Sequence, residues 1–146
     1  MTAPASSPPP HPVIDVSAGL VRHAGRLLIA QRPAGSHLAG FWEFPGGKRD
    51  PGETWEACLE RELREELGLR IQAGAVYDEI THPYPTKTVR LRFFVAGLHP
   101  DSPPARAVEC ADFAWVDRES LARYTFPPAD AALLRHLLAD DAFWGA

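Results

Sequence analysis

Residues Gly47 to Leu69 read GKRDPGETWEACLERELREELGL and are the most informative segment of this chain. Its second part predicts a helix from Thr54 to Leu67. Thr54 is a favourable N-cap residue, and Gly68 stands where a helix commonly ends in a left-handed conformation. We therefore expect a well-defined helix at this place, with different side chains on its different faces.

One face of this helix is acidic. Glu62, Glu65 and Glu66 are spaced i, i+3 and i+4, so their carboxylates share a face, beside a stripe of leucines that can pack on a sheet. Three carboxylates this close repel one another, and a divalent cation among them would offset that cost. Clustered oxygen ligands suit Mg²⁺ or Mn²⁺. A solvated acidic surface is the alternative interpretation.

The segment directly upstream favours the metal interpretation. Phe44 to Lys48 reads FPGGK, and its two glycines let the backbone approach a ligand or a metal closely. A glycine pair alone is typical of a turn. Beside an acidic helix it indicates a site for phosphates and cations.

The rest of the chain predicts a mixture of strands and helices. Apolar and β-branched runs predict strands at Val13–Val21, Arg26–Gln31, Leu69–Ala75, Val76–Thr81, Thr88–Gly97 and Phe113–Val116, and Phe41–Phe44 is a short aromatic segment that ends at a break. A last helix is predicted from about Ala129, after two prolines. This order favours an α/β (α+β) fold, with a mixed β-sheet sandwiched between helices.

The two ends of the domain are set by composition. Residues 1–12 contain five prolines and predict a disordered Pro-rich tail, so the folded domain is expected over residues 13–146. With 146 residues the chain is long enough for one domain with a real core.

Charge and composition exclude several classes of function. The net charge of −4 disfavours a nucleic-acid polymer as partner, since such binding needs a basic face. No apolar run approaches the ~20 residues of a membrane span, so no membrane association is expected. The two cysteines have no motif spacing, and no secretory signal is visible; we expect a cytoplasmic protein. The whole net charge lies between Glu53 and Glu66, where six acids stand with two arginines.

The spacing within Gly47 to Leu69 resembles the signature of the Nudix hydrolases: Gly, five residues, Glu, seven residues, then Arg-Glu-apolar-x-Glu-Glu-x-Gly-apolar. All nine specified positions match: Gly47, Glu53, Arg61, Glu62, Leu63, Glu65, Glu66, Gly68 and Leu69. Flanking segments are similar to the MutT-like branch, namely Ala30–Pro33, Phe41–Lys48, Trp115 and Phe126–Ala129. The resemblance covers residues 14–138 and implies a Nudix fold.

The resemblance implies hydrolysis of a nucleoside diphosphate linked to another group. MutT-like members cleave a nucleoside triphosphate to the monophosphate and pyrophosphate, which implies removal of oxidised or non-standard nucleotides such as 8-oxo-dGTP, or hydrolysis of cytosine nucleotides. Alternatives are a nucleotide sugar or a dinucleoside polyphosphate as substrate, or a non-catalytic nucleotide-binding module. The expected partner is a small-molecule nucleotide, and the protein is expected to be a monomer or a homodimer.

The resemblance also implies a set of oxygen ligands for the cations: Glu62, Glu65, Glu66, Glu109 and the carbonyl of Gly46. Glu109 stands six residues before a tryptophan, where MutT-like proteins carry an additional metal-linked glutamate; a solvated loop acid is the alternative. Glu62 or a neighbouring loop glutamate would help to deprotonate the attacking water. Arg61 would tie the carboxylates to the loop by charge-assisted hydrogen bonds, with Glu53 as its partner.

Substrate-binding residues are implied in the same way. Arg32 matches an arginine at the nucleotide phosphates, and His37 matches a position near the nucleotide. The alternatives are an exposed arginine and a solvated histidine. Glu43, Phe44 and Pro45 match a stretch whose backbone carbonyls contact the base.

One position departs from the MutT pattern. MutT itself has an asparagine directly after Phe-Pro-Pro-Ala, and its amide reads the oxidised guanine; this chain has Asp130. An ionised carboxylate only accepts hydrogen bonds, which suits an exocyclic amine such as N4 of cytosine. Asp130 is similar to the aspartate of the Nudix cytidine-triphosphate pyrophosphohydrolases. Alternatively, it is a helix first-turn acid that needs no ligand.

Overall fold

The sheet is built around β1 (Val13–His23), which is buried from position 17 to position 21. The computed structural model describes residues 11–145 of the chain. The other strands are β2 (Arg26–Gln31), β3 (Trp42–Glu43), β4 (Gly46–Lys48), β5 (Ile71–Pro83), β6 (Thr88–Leu98) and β7 (Asp112–Val116). The helices are α1 (Trp55–Leu67), α2 (Arg118–Leu121), α3 (Ala131–Ala139) and α4 (Asp141–Gly145).

The sheet is mixed, as the sequence predicts. Its main order is β3-β2-β1-β6-β5, with β4 paired to β1 and β7 paired to β2. Strands β1 and β6 run parallel over ten residue pairs, and all other pairings are antiparallel. This topology brings β4, and with it the glycine pair, directly beside the central strand.

Each face of the sheet has its own apolar cluster. On one face the buried leucines of α1 pack against β1, β2 and β6, with members Leu59, Leu63, Leu67, Val21, Leu28 and Phe94. On the other face the last two helices close the core, with members Leu20, Ile29, Phe93, Leu133, Leu137 and Phe143. The predicted sandwich of a mixed sheet between helices is therefore confirmed.

The predicted strands Leu69–Ala75 and Val76–Thr81 are wrong as two separate elements. They form one strand, β5, which stays paired to β6 through two register shifts. Ala73 pairs with Ala96 and Val76 with Phe94, so β5 carries an extra residue there. A bulge of this kind bends a strand without ending it.

Three other elements differ from expectation. Gly46–Lys48 is a short strand and not only a break, because its backbone pairs with β1. The four-residue helix α2 has no predicted counterpart. The helix predicted from about Ala129 is α3, and a 3₁₀ turn at Pro128–Asp130 precedes it. Residues 1–10 of the predicted tail lie outside the described residues. Pro12 is already joined to the sheet, since its carbonyl accepts a hydrogen bond from the Thr88 N–H at 2.9 Å.

Candidate active site

Helix α1 presents the acidic face that the sequence predicts. Thr54 caps its start, since its side chain accepts a hydrogen bond from the Ala57 N–H at 3.0 Å. Gly68 ends it in the left-handed conformation, with φ of 68°. The leucine stripe is fully buried under the sheet, and this fixes the rotation of the helix so that Glu62 and Glu66 point towards β4.

The glycine pair of β4 makes room for these carboxylates. The Gly46 N–H donates a hydrogen bond to Oε2 of Glu66 at 3.1 Å. A Cβ at Gly47 would collide with the Glu62 carboxylate, and a Cβ at Gly46 would collide with the Ser17 carbonyl. Gly46 is therefore required by its approach to the backbone of β1, whereas at Gly47 the absent side chain leaves room for the Glu62 carboxylate.

Arg61 ties the loop to the helix. Its Nε and Nη2 donate to the two carboxylate oxygens of Glu53 at 2.7 and 3.0 Å, and Nη1 donates to Glu65 at 3.0 Å. Nη2 also donates to the Lys48 carbonyl, and Nη1 lies 3.7 Å from the Glu62 carboxylate. The Arg61 hydrogen bonds lower the pKa of Glu53 to about 2. The contacts match the tie that the resemblance implies for Arg61 and Glu53.

Burial and mutual repulsion act on the remaining carboxylates. Burial raises the pKa of Glu66 to about 8, and the negative charges of Glu43 and Glu62 add to this effect. Burial also raises the pKa of Glu62, partly opposed by the nearby guanidinium. The carboxylates therefore need a cation, or a proton, to stay together.

The loop between β6 and β7 brings Glu109 close to the carboxylates of α1. The backbone N–H groups of Val108 and Glu109 donate to the Glu66 carbonyl at 3.0 and 3.1 Å. The charge of Glu109 contributes to the raised pKa of both Glu62 and Glu66. Its side chain is exposed at the edge of the cluster.

The donor set fits a divalent cation that arrives with phosphates. Within residues 11–145, no three His, Cys, Asp or Glu side chains are already gathered as a closed metal cage. Mg²⁺ takes one or two carboxylates and fills its other positions with water and phosphate oxygens. Hard oxygen donors, two of them with raised pKa, and a backbone cradle of glycine suit such an ion.

A cavity of about 190 Å³ lies on the sheet face opposite to α1. Its lining contains most of the predicted substrate-binding residues, namely the polar residues Arg32, His37, Glu43 and Asp130 and the apolar Phe44. Gly46 also lines the cavity. The cavity and the acidic cluster therefore meet at Gly46.

Two of the predicted substrate-binding residues, Arg32 and Pro45, make contacts within the protein. Arg32 lines the cavity, but its guanidinium pairs with Glu43 at 2.8 Å and donates to the His37 carbonyl. It thus holds the cavity loop together through its own contacts. Pro45 is buried outside the cavity lining, and its carbonyl accepts a hydrogen bond from the Gly19 N–H at 2.8 Å. Base contact by this carbonyl stays a prediction, since a carbonyl oxygen can accept a second hydrogen bond.

Asp130 faces the cavity without a partner within the helix. Its side chain makes no capping hydrogen bond at the start of α3, and it lines the cavity. Burial, with the nearby charge of Glu43, raises the pKa of Asp130 to about 6. The carboxylate is therefore available to a ligand.

The comparisons with known proteins agree with this geometry. A family model described as NUDIX domain matches residues 17–136. The chain belongs to the NUDIX domain family. It is 38% identical over 127 residues to the 8-oxo-dGTP diphosphatase of Haemophilus influenzae, covering 86% of this chain and 92% of that protein. It is 35% identical over 128 residues to the CTP pyrophosphohydrolase of Escherichia coli K12, covering 87% and 93%.

A solved structure agrees as well. The MutT protein from Methanosarcina mazei Go1 matches with a TM-score of 0.73 and 26% identity, over 86% of this chain and 93% of that one. The identification as a Nudix hydrolase of the MutT-like branch is therefore confirmed, and so is the Nudix fold. Nudix hydrolases generally use divalent metal ions.

Some lining residues of the Nudix cavity were not predicted. Tyr84 stands at its rim, 38% exposed, with its ring against His82 and near the Lys87 ammonium. Ile80 and Leu91 line the floor from β5 and β6. The strand alternation of β6 could have indicated Leu91, whereas the place of Tyr84 depends on the β5–β6 turn. None of the helices within residues 11–145 is long and apolar enough to cross a bilayer.

Proposed function

We propose that this Nudix protein hydrolyses nucleoside triphosphates to nucleoside monophosphates and pyrophosphate, with Mg²⁺ or Mn²⁺. One observation carries the proposal: Gly46 both lines the cavity and donates its N–H to Glu66. A base in the cavity would therefore extend its phosphates towards the acidic face of α1. The names of the relatives support the same reaction class.

The residues that would hold the cations are Glu62, Glu65, Glu66, Glu109 and the Gly46 carbonyl. A bound divalent cation would neutralise charge on the phosphate oxygens and lower the pKa of a water bound to it towards neutrality. The chain's own part is to keep the carboxylates together. Arg61 does this by holding Glu65 and the loop residue Glu53 in one network. Glu62, whose pKa is raised by burial, or a neighbouring loop glutamate would accept the proton of the attacking water.

The base is proposed to lie against Asp130. An ionised carboxylate accepts hydrogen bonds only, so it suits an exocyclic amine such as N4 of cytosine. A protonated Asp130 could also donate, which would suit a carbonyl oxygen of an oxidised guanine. Cytosine nucleotides and 8-oxo-dGTP are therefore the two substrates to compare, and the two relatives named above carry these two names.

A panel of triphosphates tests the proposal. Each nucleotide is incubated with the protein and Mg²⁺ or Mn²⁺, and pyrophosphate and monophosphate are measured separately. Release of both in equal amounts is the expected result. Release of a sugar phosphate or of a second nucleotide from other diphosphate compounds, with no turnover of any triphosphate, would contradict the proposal.

The cellular setting is part of the proposal. Both cysteines, Cys58 and Cys110, are buried and free in the described part of the chain, which suits a reducing cytoplasm. The complete cavity and carboxylate cluster come from one chain, so a monomer would already have the site. A homodimer would place the site in two copies. Sedimentation of the purified protein measures this state directly.

A further inference from the structure

Arg49 lies in the loop between β4 and α1, and its side chain contacts three separate parts of the molecule. Nη2 is 2.6 Å from Oδ2 of Asp15 on β1, and Nη1 donates to the Glu53 carbonyl at 3.0 Å. Its Cζ lies 5.1 Å from the centre of the Trp55 ring. Its backbone N–H also donates to the Asp15 carbonyl at 2.8 Å. The loop is thereby joined to β1 and to the first turn of α1.

Glu53 is consequently held from two sides. Arg61 holds its side chain through two hydrogen bonds, and Arg49 holds its main-chain carbonyl. Arg61 in turn reaches the carboxylate of Glu65. A change in the path of the loop at Arg49 would therefore move the partner that orients Arg61.

The carboxylate of Asp15, which binds Arg49, is stabilised in its charged form. The Asp15 side chain is only 10% exposed, and hydrogen bonds from Arg90 and Arg49 hold its pKa below the ordinary value. Among residues 11–145, Nε of Arg49 is a buried donor without an acceptor. A buried donor without an acceptor costs free energy. The orientation of the guanidinium is therefore set by its hydrogen bonds to Asp15 and Glu53.

Arg90 provides a matched comparison. It binds the same Asp15 carboxylate, through Nε at 2.8 Å and Nη2 at 3.1 Å, and lies 5.9 Å from the Trp55 ring. It comes from β6, and its side-chain hydrogen bonds go to Asp15 and not to the loop. The two arginines thus share an anchor and differ in their contact with Glu53.

We infer that Arg49 is a positioning residue for the metal site. With Asp15 it fixes the loop from Gly47 to Glu53, so that Arg61 holds the carboxylates of α1 in place for a divalent cation. The inference rests on the proposed function, because it concerns the same site. Among residues 11–145, the hydrogen bonds of Arg49 go to Asp15 and Glu53, and none goes to the cavity lining or to the proposed metal carboxylates.

The full chain with Arg49→Gln, compared with Arg90→Gln, tests this role. Mn²⁺ binding is measured by the EPR signal of the free ion, and hydrogen exchange of the amides in residues 49–54 is measured in metal-free protein. We expect Arg49→Gln to weaken Mn²⁺ binding about ten-fold, the usual effect of losing a group that orients a metal ligand. Exchange should become faster at the same residues, and kcat should fall more than KM changes, because the cavity is intact. Arg90→Gln should leave all of these within two-fold, as a rough limit.

The outcomes separate the possibilities. If Arg49→Gln binds Mn²⁺ and exchanges its loop amides as Arg90→Gln does, the inference is overturned. If Arg49→Gln does not fold, Arg49→Lys is used at a temperature below its melting point. Lysine keeps the charge at Asp15 but lacks the fork that lets Arg49 bind Asp15 and the Glu53 carbonyl at the same time; unaltered Mn²⁺ binding and exchange would again overturn the inference. Neither readout needs turnover, so a wild-type protein that releases no pyrophosphate counts against the proposed function alone.

Discussion

The carboxylate of Glu66 and the backbone N–H of Gly46 meet at 3.1 Å, although twenty positions separate them in the sequence. This hydrogen bond favours the ionised carboxylate, but burial outweighs it and raises the pKa of Glu66 to about 8. At neutral pH the metal-free protein therefore holds a proton at this place, and a bound cation would displace it.

Replacing Glu66 by Gln is expected to lower kcat by several orders of magnitude. Glutamine keeps the shape and can still accept the Gly46 hydrogen bond, but it has no charge to offer a cation. Pyrophosphate release gives the rate, and thermal unfolding followed by circular dichroism shows whether the fold survives. Glu56→Gln, at the exposed start of the same helix, is the control. Normal turnover by Glu66→Gln would remove Glu66 from the proposed site.

The stability of the metal-free protein should depend on Glu66 with a definite sign. The folded-state pKa of about 8 lies above the ordinary glutamate value of 4.5, so the folded state binds more protons between these two values. The free energy of unfolding therefore falls as the pH rises from about 5 to 9. The loss attributable to this group is of the order of 2–4 kcal/mol. Urea unfolding at several pH values measures it, and Glu66→Gln should show a flatter profile than wild type; equal slopes would contradict the prediction.

Gly47→Ala should damage the site without damaging the sheet. The added methyl would collide with the Glu62 carboxylate and force it away from the loop. We expect kcat to fall by about 100-fold, the scale of a displaced catalytic group. Gly97→Ala serves as the comparison, because a Cβ there meets no atom within 4 Å. Steady-state kinetics of the two variants decide; the prediction fails if they are equally active.

Asp130→Asn should change the choice of base. Above pH 6 the carboxylate of Asp130 is ionised and accepts from an amine, and as the pH falls through about 6 it takes up a proton and loses this ability. The kcat/KM for cytosine nucleotides should therefore drop below pH 6 in wild type. With asparagine that pH dependence should disappear, and the preference should move towards oxidised guanine by about 10- to 100-fold. Asp101→Asn, on an exposed loop, is the control, and an unchanged preference in Asp130→Asn would argue that the carboxylate does not face the base.

The sequence predicted the features that depend on residues close together in the chain, such as the ends of α1. Thr54 and Gly68 define the ends of α1 because a cap acts within a few residues. The division of β5 into two strands failed because its bulge depends on pairing with β6, which lies further along the chain. The pairing of Arg32 with Glu43 likewise depends on the meeting of β2 and β3, which no single segment reveals. The cavity position of Tyr84 needed the whole hairpin.

The carboxylates and the cavity lie on different faces of the sheet, and this separation bears on how the substrate of such a protein can change in evolution. The carboxylates come from α1 on one face, and the cavity with Asp130 lies on the other; they meet at the backbone of β4 and through the charge of Glu43, which acts on both Glu66 and Asp130. A mutation of Asp130 thus changes the cavity without replacing any residue of α1. One lineage can exchange oxidised purines for pyrimidines in a few mutational steps while its hydrolytic apparatus is inherited unchanged.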